Sequence, residues 1–191
     1  MRKIIVLEYV TLDGVMQDPG GAETFEHGGW TTPYWHEEIG KFQLDRLFAS
    51  DALLLGRVTY QGFAAAWPSM TDDVGFAERM NGLPKYVVST TLSEVAWNNA
   101  RLMKGNVAEE VSRLKREVGQ DILIYGSGEL VQTLMHHDLI DEYRLLVYPV
   151  VLGSGKRLFR DGSDKKVLRL VETKTFSSGV VVLSYQPAQR A

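Results

Sequence analysis

The chain of 191 residues carries 21 Lys plus Arg against 24 Asp plus Glu, a net charge of -3, and so offers no basic field for nucleic acid. With 45% hydrophobic residues it can bury one sizeable core, and its length fits a single domain over residues 1–191 better than two. The absence of cysteine excludes disulfides and thiolate metal sites and fits a reducing compartment.

The N-terminus, Met1-Arg2-Lys3 and then the apolar residues 4–7, is too short a run for a signal peptide, and Glu8 interrupts it. No stretch approaches the roughly 20 apolar residues of a membrane span. The expectation is a cytoplasmic protein without membrane association.

Residues 3–10 are Ile- and Val-rich almost throughout, the pattern of a central strand covered on both faces. Thr11-Leu12-Asp13-Gly14 ends it. The next twenty or so residues, with Pro19, Gly20, Gly21, Gly28, Gly29 and Pro33, predict little regular structure, and a loop of that length is expected to be a lid or disordered. Over residues 34–50 the spacing of Trp35, Ile39, Phe42 and Leu47 predicts a helix, and residues 52–55 a short buried strand stopped by Gly56. A second helix is predicted over 57–67, before Pro68, then a polar loop with a turn or two of helix over 71–82. Strands are predicted at 85–89 and 98–103. Val107, Val111, Leu114 and Val118 mark a helix closed by Gly119.

In residues 121–148 the apolar run Ile122 to Tyr125 breaks at Gly126, Ser127 and Gly128, after which Leu130, Val131, Leu134 and Met135 recur at helical spacing. A second apolar strand is predicted over 144–151. Such a strand-turn-helix junction lets a ligand's phosphates approach bare backbone at a helix start. Beyond Gly153-Ser154-Gly155, residues 166–175 and 180–185 read as a hairpin around Ser177-Ser178-Gly179. The whole predicts an α/β protein with a mixed, mostly parallel sheet and a C-terminal antiparallel pair.

Three strand ends lead into a helix start or polar loop: Gly56-Arg57-Val58-Thr59, Ser89-Thr90-Thr91 and Gly126-Ser127-Gly128-Glu129. In an open α/β sheet all three can line one crevice, with Arg57 supplying charge for a terminal phosphate. The alternative is that the glycines merely serve tight turns and that Arg57 is a solvated surface residue. Gly126-Ser-Gly is not a full dinucleotide fingerprint, since Val131 stands at its last glycine. Gly153-Ser-Gly-Lys156 is not a phosphate loop, since Val150 and Arg157 replace its first glycine and final hydroxyl. His136 and His137 point about 100° apart on a helix, and His27 and His36 have no ligand spacing, so no metal site is expected.

The segments LLLGRVTYQGF at 53–63, KYVVSTTL at 85–92, IYGSGELVQTL at 124–134 and LIDEYRLLVYPVVLGSGKRLF at 139–159 resemble the reductase domain of bacterial bifunctional riboflavin-biosynthesis proteins, in the dihydrofolate reductase-like superfamily. The likeness takes in residues 11–14 and weakens at 17–33 and 71–82. It implies a three-layer α/β/α fold and an NADPH site. Gly56, Arg57 and Thr59 would meet the adenosine-side phosphate and diphosphate, Ser89 and Thr90 the adenosine ribose and its 2′-phosphate, and Gly126, Ser127, Gly128, Glu129 and Leu130 the diphosphate and nicotinamide ribose. An arginine accepts a 2′-phosphate where an acidic ribose binder repels it, which favours NADPH over NADH. Asp13, past the first strand, and Glu38, on the first helix, are the catalytic candidates; for Asp13 the alternative is an ordinary Asp-Gly turn.

The deaminase half that accompanies such reductases does not occur in this sequence. The resemblance implies an NADPH-dependent reductase of a small heterocyclic or ribosyl-linked substrate, such as 5-amino-6-(5-phosphoribosylamino)uracil. Dihydrofolate or pterin reduction, or a non-catalytic NADPH-binding module, are the alternatives. Relatives commonly pair through the sheet edge and C-terminal hairpin, so a homodimer is expected.

Overall fold

The computed structural model describes residues 1–188. Eight strands form one sheet: β1 (Ile4–Thr11), β2 (Ser50–Gly56), β3 (Lys85–Val88), β4 (Ala100–Met103), β5 (Asp121–Tyr125), β6 (Glu142–Tyr148), β7 (Leu168–Thr175) and β8 (Val181–Pro187). Their order is β4-β3-β2-β5-β1-β6-β8-β7, parallel from β4 to β6 and antiparallel from β6 through β8 to β7. The predicted mixed sheet and terminal hairpin are therefore present.

Five α-helices cover the sheet: α1 (Glu37–Phe48), α2 (Arg57–Ala66), α3 (Phe76–Gly82), α4 (Val107–Arg116) and α5 (Gly128–His136). Successive strand residues point to opposite faces, so each buried strand feeds two cores. Ile5, Leu7, Leu53, Leu55, Leu123 and Tyr125 pack with Ile39, Phe42, Tyr60 and Met80 of α1, α2 and α3. Ile4, Val6, Ala52, Leu54, Ile122 and Ile124 pack with Val111, Leu114, Val131 and Leu134 of α4 and α5. This double burial explains why the strands read as unbroken apolar runs.

Several boundaries differ from the sequence expectation. Trp35 lies outside α1 and is 66% exposed; its ring lies against Gly40, where an added Cβ would come within 3.2 Å. Pro33 stands in a short 3-10 turn and His36 caps the helix through the Glu38 N–H, so the helix begins too late to include the tryptophan. Helix α4 ends at Arg116 because Glu117 is extended, leaving Val118 in solvent. Gly119 does not cap that helix. It admits the Arg2–Asp51 ion pair, since an added Cβ would lie 2.5 Å from Asp51 Oδ2 and 3.0 Å from Arg2 Nε. Strand β6 starts two residues before the expected Arg144, paired with Ile5, and stops at Tyr148 before Pro149, which has no N–H to continue the ladder.

The long loop after β1 holds little regular structure, as expected, but is tied together by hydrogen bonds. Asp18, buried at φ +47°, gathers it: its carbonyl accepts from Gly21 N–H and Gly29 N–H, and its carboxylate from Glu23 N–H. Trp30 donates to the Gln17 carbonyl at 2.8 Å and packs edge-on against Tyr148. At the sheet's other side Lys85 is fully buried, donating to the carbonyls of Asn81, Leu83 and Asn98 and lying over the Trp97 ring. Burial pushes its ammonium down to about 8, while the three carbonyls and the ring face favour its charged form.

Candidate active site

Strand β2 feeds α2 on one face and leads outward to β3, whereas its neighbour β5 feeds α5 on the opposite face and leads to β6. The chain thus diverges from two adjacent strand ends, the switch point at which open α/β sheets form their ligand crevice. The sequence-predicted turns after β2 and β5 stand there side by side.

They are tied directly to each other. Ser127 Oγ accepts from Gly56 N–H at 2.8 Å and donates to the Tyr125 carbonyl at 3.1 Å, while Ser127 N–H donates to Thr59 Oγ1 at 3.0 Å. Gly126 and Ser127 are both left-handed, at φ +56° and +65°. An added Cβ on Gly126 would fall 2.9 Å from Thr59 Oγ1, so this approach requires glycine. Because Ser127 spends its hydroxyl on the neighbouring turn, it does not cap α5. The N–H groups of Gly128, Glu129 and Leu130 have no intrahelical acceptor and no side-chain cap from Ser127 among the described residues. Helix α2 likewise starts after an uncapped Gly56. Two uncapped helix starts therefore stand side by side, the arrangement whose N–H groups and dipoles favour negative charge.

The remaining predicted residues surround this centre with different engagements. Arg57 is exposed at the start of α2 and donates to Gln61 Oε1 at 3.0 Å. Thr90 is exposed past the end of β3, next in the sheet to β2, but Ser89 is buried and its hydroxyl accepts from Thr91 N–H and Leu92 N–H. Leu130 is buried in the core below the turn, and Glu129 is exposed beside it.

Asp13 follows β1, two strands from β2. Its carboxylate accepts from Thr11 Oγ1 at 2.5 Å, Gly153 N–H at 2.8 Å and Leu152 N–H at 3.3 Å. The Thr11 hydroxyl, then the two backbone donors, hold its carboxyl below the usual range, and Arg157 donates to its main-chain carbonyl at 2.9 Å. Glu38, on the first turn of α1, accepts from the Ser177 N–H and hydroxyl at 3.0 and 2.7 Å, which lowers its carboxyl too. The structure thus ties Gly56, Thr59 and Gly126-Ser127 together, while Asp13 is engaged with residues 152–157 and Glu38 with Ser177.

Three features had no sequence motif. Glu8, in β1, is 4% exposed, accepts from Gly126 N–H below the turn and leaves Oε1 without a partner among the described residues; burial pushes its carboxyl well above the ordinary range. Its only signal was an acid inside an apolar strand. Tyr9, Tyr125 and Tyr148 stand near the ends of the adjacent strands β1, β5 and β6, on the α1 side of the sheet, with Trp30 and Tyr34 packed on Tyr148. The Tyr125 hydroxyl is buried without a partner among the described residues. Arg160, from the loop after β6, pairs with Glu129 at 2.7 Å. A cavity of about 350 Å³ lies elsewhere, among Met135, Ile140, Tyr143 and Leu168, and none of the predicted residues lines it.

The sheet order and its glycine-lined switch point are those of the dihydrofolate reductase-like class. A dihydrofolate reductase from Enterococcus faecalis complexed with NADP(H) and RAB-propyl superposes with a TM-score of 0.62 at 14% identity, over 98% of this chain and 97% of that one. A putative riboflavin biosynthesis protein from Shewanella sp. PV-4 superposes with a TM-score of 0.76 at 21% identity, over 98% and 99%. The profile of the RibD C-terminal domain matches residues 2–182, and the chain belongs to that family. It is 35% identical to the uncharacterized protein YyaP of Bacillus subtilis (strain 168) over 187 residues, 96% of this chain and 94% of that protein. Among the described residues, no helix is long and apolar enough to cross a membrane.

Proposed function

We propose that this chain is an NADPH-dependent reductase of a small heterocyclic or ribosyl-linked substrate, with 5-amino-6-(5-phosphoribosylamino)uracil as the leading acceptor. The observation that carries the reading is the pair of tied turns at the switch point, with the first-turn N–H groups of α5 left bare. The residues present fit a phosphorylated dinucleotide: Gly126 fills a space no side chain can enter, and Arg57, exposed at the start of α2, adds a cation. The family membership and the NADP(H) complex of the Enterococcus relative of the same fold support this cofactor.

When bound, the cofactor supplies a hydride. The chain's own residues bind, orient and exclude water. The N–H groups of Gly128, Glu129 and Leu130 take the diphosphate, and the Arg57 guanidinium takes the 2′-phosphate by the bidentate pairing that distinguishes it from lysine. The tyrosines of β1, β5 and β6, with Tyr9 edge-on to Tyr148, supply an aromatic wall for a planar ring. Asp13, held as an acceptor, orients the acceptor molecule rather than donating a proton, and Glu38 borders the substrate on the α1 side. Two copies paired through the exposed β7 edge make a homodimer.

The test is a titration of NADPH against intrinsic tryptophan fluorescence, followed by turnover across an acceptor panel. Oxidation only with the diaminopyrimidine ribosyl substrate supports the proposal. Turnover with dihydrofolate, blocked by an antifolate, moves the assignment to a pterin reductase. Saturable binding with no oxidation of any acceptor leaves a binding module, and absence of binding removes the reading.

A further inference from the structure

The loop after β6 is laced along one face of α5. Gln132 donates to the Leu158 carbonyl and accepts from Ser163 Oγ at 2.8 Å, and His136 meets Asp164 at 2.6 Å. Glu129, Gln132 and His136 are three and four residues apart, so they form one stripe on the helix. The lacing fixes where Arg160 falls. Its guanidinium lies 2.7 Å from Glu129 Oε1 and 3.8 Å from the position of an added Gly128 Cβ, over the bare first turn of α5. Glu8, buried in β1 below Gly126, leaves Oε1 without a partner among the described residues. Arg160 therefore stands beside the turn that carries these N–H groups.

From this geometry we infer that Arg160 is a diphosphate-binding residue held in reserve by Glu129: an entering diphosphate takes the guanidinium from the Glu129 carboxylate. This rests on the dinucleotide reading above. Both side chains are accessible for such an exchange, at 39% and 85% exposure, and Glu129 is long enough to withdraw into solvent. A phosphate oxygen accepts from guanidinium as well as a carboxylate does, and the turn's N–H groups add to it what Glu129 cannot supply. The ion pair thus makes binding an exchange of partners, which lowers affinity by the strength of the surface pair and excludes weaker anions.

The test is a double-mutant cycle on NADPH affinity, read by tryptophan quenching at fixed ionic strength. Arg160→Gln is expected to weaken NADPH about tenfold, the loss of one charge-assisted hydrogen bond. Glu129→Gln is expected to tighten it by about two- to fivefold, the release of a surface ion pair. In the double variant the Glu129 gain disappears, because no arginine remains to release. A gain that persists without Arg160 shows simple repulsion by Glu129 and overturns the exchange, as does an Arg160→Gln affinity equal to wild type. Unchanged melting temperatures confirm that the variants fold. Wild-type protein that binds no NADPH overturns both this inference and the reading beneath it.

Discussion

Replacing Ser127 by alanine tests the joint on which the proposed site is built. The hydroxyl accepts from Gly56 N–H at 2.8 Å and donates to the Tyr125 carbonyl at 3.1 Å; without it, a half-buried N–H faces a methyl group. An unsatisfied donor of that kind costs about 1–3 kcal/mol. The second tie, Ser127 N–H to Thr59 Oγ1, belongs to the backbone and survives. Ser127→Gly loses the same hydroxyl but relieves a left-handed residue at φ +65°, a strain of about 1 kcal/mol. The expected order of stability is wild type, then glycine, then alanine. For a chain of this size the alanine variant should melt lower by about 5 °C. Urea titration with a constant m-value isolates the stability change, and NADPH quenching measures the site in parallel, with the alanine variant binding more weakly. An alanine variant as stable as wild type, or a glycine variant below it, would refute the claim that this hydroxyl joins the turns.

Arg57→Ala should weaken NADPH far more than NADH, and equal losses for both would separate the arginine from the 2′-phosphate. Asp13 has a lowered carboxyl in the folded chain, so its stabilisation is present above the unfolded value near 4 and is lost as pH falls through the lower folded value. Asp13→Asn should therefore flatten the acid limb of unfolding below about pH 4, and an unchanged limb would contradict the hydrogen-bond set described for it. Lys85→Met strands the Leu83 and Asn98 carbonyls at about 1–3 kcal/mol each and should cost at least about 2 kcal/mol in urea titration; a neutral effect would show that the buried ammonium is not what satisfies them.

The sheet was legible because its strands are buried on both faces and the chain states that as uninterrupted Ile, Leu and Val. The turn after β5 was legible because glycines interrupt such a run at a helix start. What escaped was whatever depends on approach rather than pattern. Gly119 reads as a helix stop but serves the Arg2–Asp51 pair, a contact across 49 residues. Val118 completes a helical spacing that the extended Glu117 has already ended. Arg160 is one cation among many until the loop is seen to lie along α5, and the burial of Ser89, whose hydroxyl accepts from the N–H groups of Thr91 and Leu92, leaves no mark in the pattern.

The long glycine-rich loop was legible as irregular, but composition speaks of backbone freedom and not of what ties it down. Here the freedom is removed by zipping residues 14–17 against 155–158: Met16 N–H donates to the Lys156 carbonyl, Leu158 N–H to the Gly14 carbonyl, and Lys156 N–H to Gln17 Oε1. Gly155 permits the contact, since a Cβ there would meet Val15 at 2.7 Å and Phe25 at 3.0 Å. The same zip sets Met16 against Gly128, 3.0 Å from an added Cβ, so the loop's anchor and the start of α5 share one packing contact. A wall fixed in this way has little ordering entropy left to lose when a ligand arrives. The glycines that make the loop read as irregular are what allow its backbone to approach residues 155–158 so closely.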